Sequence, residues 1–216
     1  MPHTILFANG LLPDLEAARR LLRPDDTLFA ADGGSRHALA LGLVPSVVIG
    51  DLDSLSTEDR RQLEQAGTRF QEHPRDKDQT DLELALDYVF ENGFHSIRIL
   101  GGLGGRLDQT LGNLALLSDP RLAAVDIRLD DGLEETFFVR QRAEVEGKVG
   151  EIVSLLPWGG EVSGVTTTGL RWPLHAESLF PDRTRGISNE LTAEAATITI
   201  QSGLLLVVHR RLTTEH

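Results

Sequence analysis

The sequence predicts an α/β fold: a mostly parallel N-terminal sheet flanked by helices, followed by a C-terminal all-β sandwich or barrel domain. From residue 4 to about residue 130, short apolar runs of β type alternate with amphipathic stretches of helical spacing. This alternation is typical of βαβ units joined into a parallel sheet. After about residue 131 the pattern changes to β-branched alternation with frequent glycine turns, which favours a small antiparallel domain.

Six strands are predicted in the first part from short runs of apolar and β-branched residues. They are Thr4–Ala8, Thr27–Ala31, Val47–Gly50, Thr68–Gln71, Ile97–Gly101 and Val125–Leu129. Apolar residues at three- and four-residue spacing predict helices between them, over Leu15–Leu22, Ser56–Gln65 and Thr80–Phe90. Pro13 and Pro24 mark the start and the end of the first helix.

Short strands at close spacing predict the second domain. The candidates are Thr136–Gln141, Glu151–Leu156, Glu161–Thr168 and Thr197–Gln201. Asp130-Asp131-Gly132 is a turn-forming junction. We therefore predict domains over residues 1–130 and 131–216.

The composition excludes several classes of partner and site. A net charge of −12 argues against a nucleic-acid partner, because phosphate backbones are bound mainly through basic patches. The absence of cysteine excludes disulfides and thiolate metal sites. No apolar run approaches the ~20 residues that a membrane span needs, and the first residues lack the pattern of a signal peptide. We expect a cytoplasmic protein with no membrane partner.

Four short acidic segments each follow a predicted strand and precede a helix-like stretch. They are Ala31–Gly34, Gly50–Ser54, Asp76–Asp81 and Gly104–Gln109. In an alternating α/β chain this position is the carboxyl edge of the sheet, where open parallel sheets bind ligands. Carboxylates gathered there repel each other unless a cation lies among them, and oxygen ligands favour Mg²⁺ shared with substrate phosphates. The segments predict a metal-assisted enzyme that acts on a phosphate compound.

Each acidic residue also has a purely local interpretation. A single Asp after a strand is typical of turns, whereas Asp51 and Asp53 together in a loop next to a glycine can face one ion. The helix starts hold Asp78, Thr80, Asp81 and Asp108, and a cap there stabilises a helix by ~1 kcal/mol. Independent caps have no reason to accumulate at one sheet edge, and this favours a ligand-binding role.

The loop from Gly101 to Arg106 follows a strand and opens a helix. Such loops let backbone N–H groups approach phosphate, and the Arg106 guanidinium can add two parallel charged hydrogen bonds. The loop is neither a dinucleotide fingerprint, which needs Gly in place of Leu107, nor a P-loop, which needs Gly-Lys-Ser/Thr. Gly33-Gly34 beside Asp32 either approaches phosphate in a similar way or forms a simple turn.

Two motifs stand out in the second half. Trp172 is either a core residue, as is usual for a tryptophan in an all-β domain, or an aromatic ring on which a ligand stacks. Ser188-Asn189 is either an ordinary turn or a polar contact to a ligand. The seven histidines are scattered without metal-ligand spacing, and none is assigned a chemical role.

Together these segments resemble thiamine pyrophosphokinases, which transfer pyrophosphate from ATP to thiamine and release AMP. The resemblance covers nearly the whole chain in order, in six motifs: Ala31–Gly34, Gly50–Ser54, Lys77–Asp81, Gly101–Gln109, Thr168–Trp172 and Ser188–Glu190. It implies an α/β domain for ATP and Mg²⁺, a β-sandwich domain for thiamine, and a homodimer with active sites between subunits.

The resemblance also implies individual roles. The catalytic and metal-binding set would be Asp51, Asp53, Asp81 and Asp108. The ATP and phosphate contacts would be Asp32, Gly33, Gly34, Lys77, Thr80, Gly102 and Arg106. The thiamine contacts would be Gln109, Trp172, Ser188 and Asn189. Where the family often has Ala-Asn, this chain has Ser35-Arg36, so the contact of that Asn is not carried over and an arginine can change nucleotide binding.

Two alternatives stay open at this point. A pyrophosphokinase for another heterocyclic alcohol, such as a pterin, would share the metal set but would not need Trp172 or Ser188-Asn189. A non-catalytic regulator that binds a nucleotide or thiamine would not need the intact carboxylates.

Overall fold

The computed structural model describes residues 3–212 and divides into two compact units, one up to Gly132 and one from Leu133. The first unit alternates strands and helices along the chain. Its elements are β1 (Thr4–Phe7), α1 (Leu15–Arg19), β2 (Thr27–Ala31), α2 (Ser35–Ala40), β3 (Val47–Gly50), α3 (Thr57–Gln65), β4 (Arg69–Glu72), α4 (Asp81–Glu91), β5 (Ser96–Leu100), α5 (Leu107–Leu117) and β6 (Asp126–Asp130).

The six strands of the first unit are parallel and lie in the order β6-β5-β1-β2-β3-β4. The central strand β1 is fully buried, in keeping with its uninterrupted apolar sequence. After β1 the chain builds the sheet outward through β2, β3 and β4, and then returns to place β5 on the other side of β1. The sheet order therefore reverses between β1 and β5, which is where open α/β sheets bind ligands.

Local bonding explains two differences from the predicted bounds. Helix α1 stops at Arg19 instead of Leu22, because Leu21 and Leu22 donate to carbonyls three residues back in tighter turns. Thr68 precedes β4 instead of opening it, because its N–H bonds the Leu63 carbonyl at the end of α3 and its hydroxyl bonds the Pro45 carbonyl.

The second unit is a β-sandwich. Its strands are β7 (Glu134–Val139), β8 (Arg142–Glu146), β9 (Ile152–Pro157), β10 (Val162–Thr168), β11 (Glu177–Leu179), β12 (Asn189–Glu190), β13 (Ala195–Thr199) and β14 (Leu205–Arg210). Antiparallel pairing gives the orders β12-β9-β14-β7 and β11-β10-β13-β8. Alternate residues of both sheets, among them Val153, Val165 and Ile198, form one buried apolar core.

The fold class predicted from the sequence is confirmed, with a parallel α/β sheet first and an antiparallel β domain second. Among residues 3–212, no helix has the length and apolar character required to cross a membrane.

Candidate active site

A cleft of about 540 Å³ opens at the carboxyl edge of the parallel sheet. Its walls come from the loops that follow β1, β2, β3, β4 and β5. Because all five strands are parallel, these loops leave the sheet at the same edge, as the sequence predicts. The cleft includes the loops after β1 and β5, where the sheet order reverses.

Gly50, the last residue of β3, lets two carboxylates approach each other. A Cβ atom at this position would lie 2.9 Å from both the Asp32 Cβ and the Asp81 Oδ1. Its φ of +147° is also unfavourable for residues with a side chain. A glycine at the strand end therefore allows the loop after β2 and the start of α4 to close over β3.

Three carboxylates converge beside this glycine. Ligand oxygens of Asp32, Asp51 and Asp53 lie within 4.8 Å of one another. The Asp51 Oδ1 accepts a hydrogen bond from the Asp53 N–H at 3.2 Å, which folds the loop so that both acids point to one place. Asp32 has a φ of +41° and is 3% exposed, so a strained backbone holds a buried charge there.

Lys77 offsets part of this negative charge. Its ammonium lies 3.0 Å from the Asp81 Oδ1 and 3.5 Å from the Asp51 Oδ2, with only 15% of the side chain exposed. Arg75 lies 3.4 Å from the Asp53 Oδ2 in a much more exposed pair. Solvent screens the Arg75 pair more strongly, so Lys77 is the principal internal counter-charge.

The carboxylates respond to these surroundings in opposite ways. Burial raises the pKa of Asp32, and the neighbouring charges of Asp81 and Asp51 raise it further. The pKa of Asp51 is lowered, first by the hydrogen bond from the Asp53 N–H and then by Lys77. Burial opposes the charge on Lys77, but Asp81 and Asp51 outweigh it and raise the pKa of Lys77.

The donor set fits a hard divalent cation. Asp32 Oδ1 is buried and has no hydrogen-bond partner among residues 3–212, which is costly for a carboxylate oxygen unless something else binds it. Three carboxylates with no nitrogen or sulfur ligand suit Mg²⁺ better than softer metals. Asp32, Asp51 and Asp53 are the residues that could hold such an ion.

The glycine-rich loop after β5 forms another wall of the cleft. Gly101, Gly104 and Gly105 have φ values between +72° and +75°, a conformation that glycine adopts without steric cost. The Asn113 side chain donates to the Gly102 carbonyl at 2.8 Å and ties the loop to α5. The loop is thus held in a shape that exposes backbone to the cleft.

Arg106 and Asp108 form a bidentate ion pair at the end of this loop, with N–O distances of 3.1 and 2.6 Å. Both side chains are more than half exposed. Hydrogen bonding within the pair lowers the pKa of Asp108 and raises that of Arg106. Arg106 lines the cleft, whereas Asp108 is not among the lining residues or the converging carboxylates of the described chain.

The structure brings many of the predicted site residues to one cleft. Its lining includes Asp32, Asp53, Lys77, Thr80, Asp81, Gly102, Arg106 and Gln109. Thr80 also caps α4 by accepting the Glu83 N–H, so its local interpretation holds as well. Gly33 and Gly34 do not line the cleft. Both are packed too closely for a side chain, since a Cβ on Gly33 would collide with Asn9 and a Cβ on Gly34 with the end of β1.

The loop after β1 also contributes to the cleft, which the sequence motifs did not predict. Asn9 and Gly10 line the cleft, and the Gly10 N–H donates to the Gly101 carbonyl at 2.8 Å. The signal was an Asn-Gly pair directly after the first predicted strand, a common turn pair.

The second unit carries a separate cavity of about 350 Å³ whose lining includes Trp172, Ser188 and Asn189. Trp172 is 47% exposed, so it is not a core residue. The Arg171 guanidinium covers one face of its ring at 4.9 Å. Buried Asn189 accepts from the Trp172 N–H and donates to the Trp172 carbonyl, so it fixes the backbone that presents the indole.

The fold and the first cleft define an α/β enzyme that acts on phosphate compounds at the carboxyl edge of a parallel sheet. Residues 18–129 match the family model described as the catalytic domain of thiamin pyrophosphokinase. Residues 139–205 match the model of its vitamin B1 binding domain. The chain therefore belongs to the thiamin pyrophosphokinase family.

Individual relatives agree with this assignment. The chain is 32% identical over 203 residues to thiamine pyrophosphokinase of Bacillus subtilis (strain 168), covering 93% of each chain. The crystal structure of the Bacillus subtilis enzyme is similar with a TM-score of 0.87 and 28% identity, over 99% of this chain and 100% of that one. The yeast enzyme, at 18% identity and a TM-score of 0.77 over 97% and 86% of the two chains, shares the fold.

We predict that Lys77→Met lowers the free energy of unfolding by about 1 kcal/mol near neutral pH when divalent cations are absent. Lys77 lowers the pKa of Asp51. Its contribution is therefore present above the ordinary carboxyl value of 3.8 and is lost as the pH falls through the lowered pKa. Urea denaturation at neutral and acid pH measures the difference.

The matched control is Lys148→Met, which removes the only other lysine of the chain and leaves the cleft intact. A Lys77→Met variant that is no less stable than this control near neutral pH would show that the ammonium does not relieve the carboxylates.

Proposed function

We propose that the chain transfers the pyrophosphoryl group of ATP to the hydroxyethyl group of thiamine, giving thiamine diphosphate and AMP. The observation that carries the proposal is the convergence of Asp32, Asp51 and Asp53 beside a cleft that Asp32 and Asp53 line together with a glycine-rich loop. The family assignment supplies the substrates.

Mg²⁺ is the ion that we propose for the three carboxylates, with Asp81 beside them. When bound, the ion would bind phosphate oxygens and neutralise the charge that develops during transfer. The Asp108 carboxylate, by resemblance a fourth ligand, is paired with Arg106. We propose that Arg106 exchanges this partner for a phosphate oxygen when the nucleotide binds, since a guanidinium forms the same bidentate bonds with both.

The chain mainly has to position the reactants. In the transfer, the thiamine hydroxyl oxygen forms a bond to the β-phosphorus, and the bond from that phosphorus to the oxygen of the α-phosphate breaks as AMP leaves. The hydroxyl proton passes to a base, for which the cleft offers several carboxylates. Little covalent chemistry is required of the protein, because alignment and charge neutralisation supply most of the acceleration.

We place the thiamine at the second unit's cavity. An exposed indole with one face covered by Arg171 offers its other face for stacking on a flat heterocycle. Ser188, with a φ of +58° and its N–H held by the Ser154 hydroxyl, turns the loop beside this ring. Gln109 lines the first cleft and would approach the same substrate from the nucleotide side.

We further propose a homodimer in which each active site combines the cleft of one subunit with Trp172 of the other. The support is the resemblance, together with the division of the lining residues: those of the first cleft all precede Gly132, and those of the Trp172 cavity all follow Leu133.

The proposed activity predicts AMP and thiamine diphosphate as the products when the protein is incubated with ATP, thiamine and Mg²⁺. Chromatography of the nucleotides and of the thiamine phosphates measures both. ADP with thiamine monophosphate would rule out pyrophosphoryl transfer. A reaction with a pterin alcohol in place of thiamine would establish the alternative substrate, and ATP binding without turnover of any alcohol would establish a regulator.

For the metal, we predict that Mg²⁺ raises the melting temperature of the unsubstituted chain and that Asp53→Asn abolishes most of this rise. Turnover should fall by a factor on the order of 10² or more, since a metal ligand is lost. Without Mg²⁺ the variant should melt at the same or a higher temperature, because repulsion among the carboxylates is relieved.

The control for this experiment is Asp25→Asn, which removes one exposed acid of the same unit outside the cleft. If Asp53→Asn were destabilised yet active, Asp53 would be a structural turn residue and not a metal ligand.

The shared site predicts complementation between two inactive subunits. Asp53→Asn and Trp172→Ala subunits, mixed equally and allowed to exchange, should recover about a quarter of full activity, because half of the dimers are hybrids with one intact site each. Hybrids isolated by two affinity tags should show about half of full activity, since each keeps one intact site of two. Isolated hybrids without activity, or an active monomer in sedimentation, would refute the shared site.

A further inference from the structure

The side chain of Asn9 lies at the point where the sheet order reverses. Asn9 comes shortly after β1, and the N–H of the next residue, Gly10, donates to the Gly101 carbonyl of the glycine-rich loop. The Asn9 amide rests on Gly33, since a Cβ there would lie 2.6 Å from both Oδ1 and Nδ2. The amide is therefore confined between the loops after β1 and β2, and it lines the cleft.

Helix α2 supplies a partner for this amide. The Arg36 Nη2 donates to the Asn9 Oδ1 at 3.1 Å, and the Arg36 Nε donates to the Gly33 carbonyl at 3.4 Å. The next residue, His37, binds the Gly10 carbonyl through Nε2 at 2.8 Å. Two successive side chains of α2 thus hold the two residues of the loop after β1.

The chemistry of arginine fixes which way the amide faces. A guanidinium has only donors, so the amide atom turned toward Arg36 must be the carbonyl oxygen. The Nδ2 group, with two N–H donors, then faces away from Arg36 and has no hydrogen-bond partner among residues 3–212. Without Arg36, no neighbouring donor fixes the orientation of the amide, and the Oδ1 acceptor can face the cleft in place of Nδ2.

We infer that Arg36 is a positioning residue that holds Asn9 so that its Nδ2 donates to a phosphate oxygen of the bound nucleotide. The inference rests on the proposed function for the identity of the ligand. Phosphate oxygens are acceptors only, and the carboxylates that line the same cleft repel them. A neutral donor with fixed orientation therefore adds binding without adding to the charge that Mg²⁺ has to balance.

A double-mutant cycle tests the inference through binding alone. The ligand is α,β-methylene-ATP with Mg²⁺, which cannot be cleaved at the reacting bond, and calorimetry gives the dissociation constant. We expect Asn9→Ala to weaken binding roughly tenfold, as for a hydrogen bond to a charged group. We expect Arg36→Met to weaken it about threefold to fivefold in the natural background and to have no further effect in the Asn9→Ala background.

Two results would overturn the inference. If Arg36→Met weakens binding by the same factor in both backgrounds, Arg36 contacts the nucleotide itself. If Asn9→Ala leaves the dissociation constant unchanged, Asn9 contacts no part of the nucleotide. Arg61→Met, which removes an exposed arginine bound to Glu58 on α3, is the control for loss of one positive charge and should bind as the unsubstituted chain does.

The readout separates this inference from the proposed function. Nucleotide binding is measured without thiamine and without turnover, so the cycle gives its answer even if the alcohol substrate is a different one. Melting temperatures of the four cycle variants should agree, because Asn9 and Arg36 are both exposed; a shared loss of stability would assign the pair a structural role only.

Discussion

Mutual repulsion among carboxylates held close by the backbone is the constraint on which the first unit depends. Gly50 removes the side chain that would keep Asp32 and Asp81 apart, and a left-handed φ holds Asp32 against the end of β3. Lys77 offsets only part of the resulting charge. The arrangement therefore costs stability in the free protein and preorganises the carboxylates for the proposed cation and nucleotide.

The same strategy, a functional side chain fixed by neighbours that need not touch the ligand, recurs in both units. Arg36 orients the Asn9 amide, and Asn189 clamps the backbone of Trp172 from both sides. On the proposed nucleotide side, the geometry comes from loops tied to rigid parallel strands. On the proposed thiamine side, it comes from a buried amide and from an arginine that covers one face of the indole. Precision in each case comes from the supporting residue.

Much of the fold and of the site follows from local sequence, and the remainder depends on residues far apart in the chain. Buried parallel strands are short apolar runs, so β1 and β3 could be predicted almost residue by residue. Strand β8 could not be predicted, because charged residues occupy its outer face. The acidic loops could be predicted because strand ends share an edge. The pairing of Asp108 with Arg106 and the bond between Arg36 and Asn9 could not, since both depend on side-chain orientation in three dimensions.

The placement of the two tryptophans gives the molecule an intrinsic optical reporter. Trp158 packs edge-on against Phe138, 5.5 Å between ring centroids, and is not among the residues that line the cavity of the second unit. Trp172 is nearly half exposed, beside one cation and next to that cavity. Indole emission responds to stacking and to loss of water contact, so a change in fluorescence on filling the cavity would report on Trp172, the tryptophan that lines it.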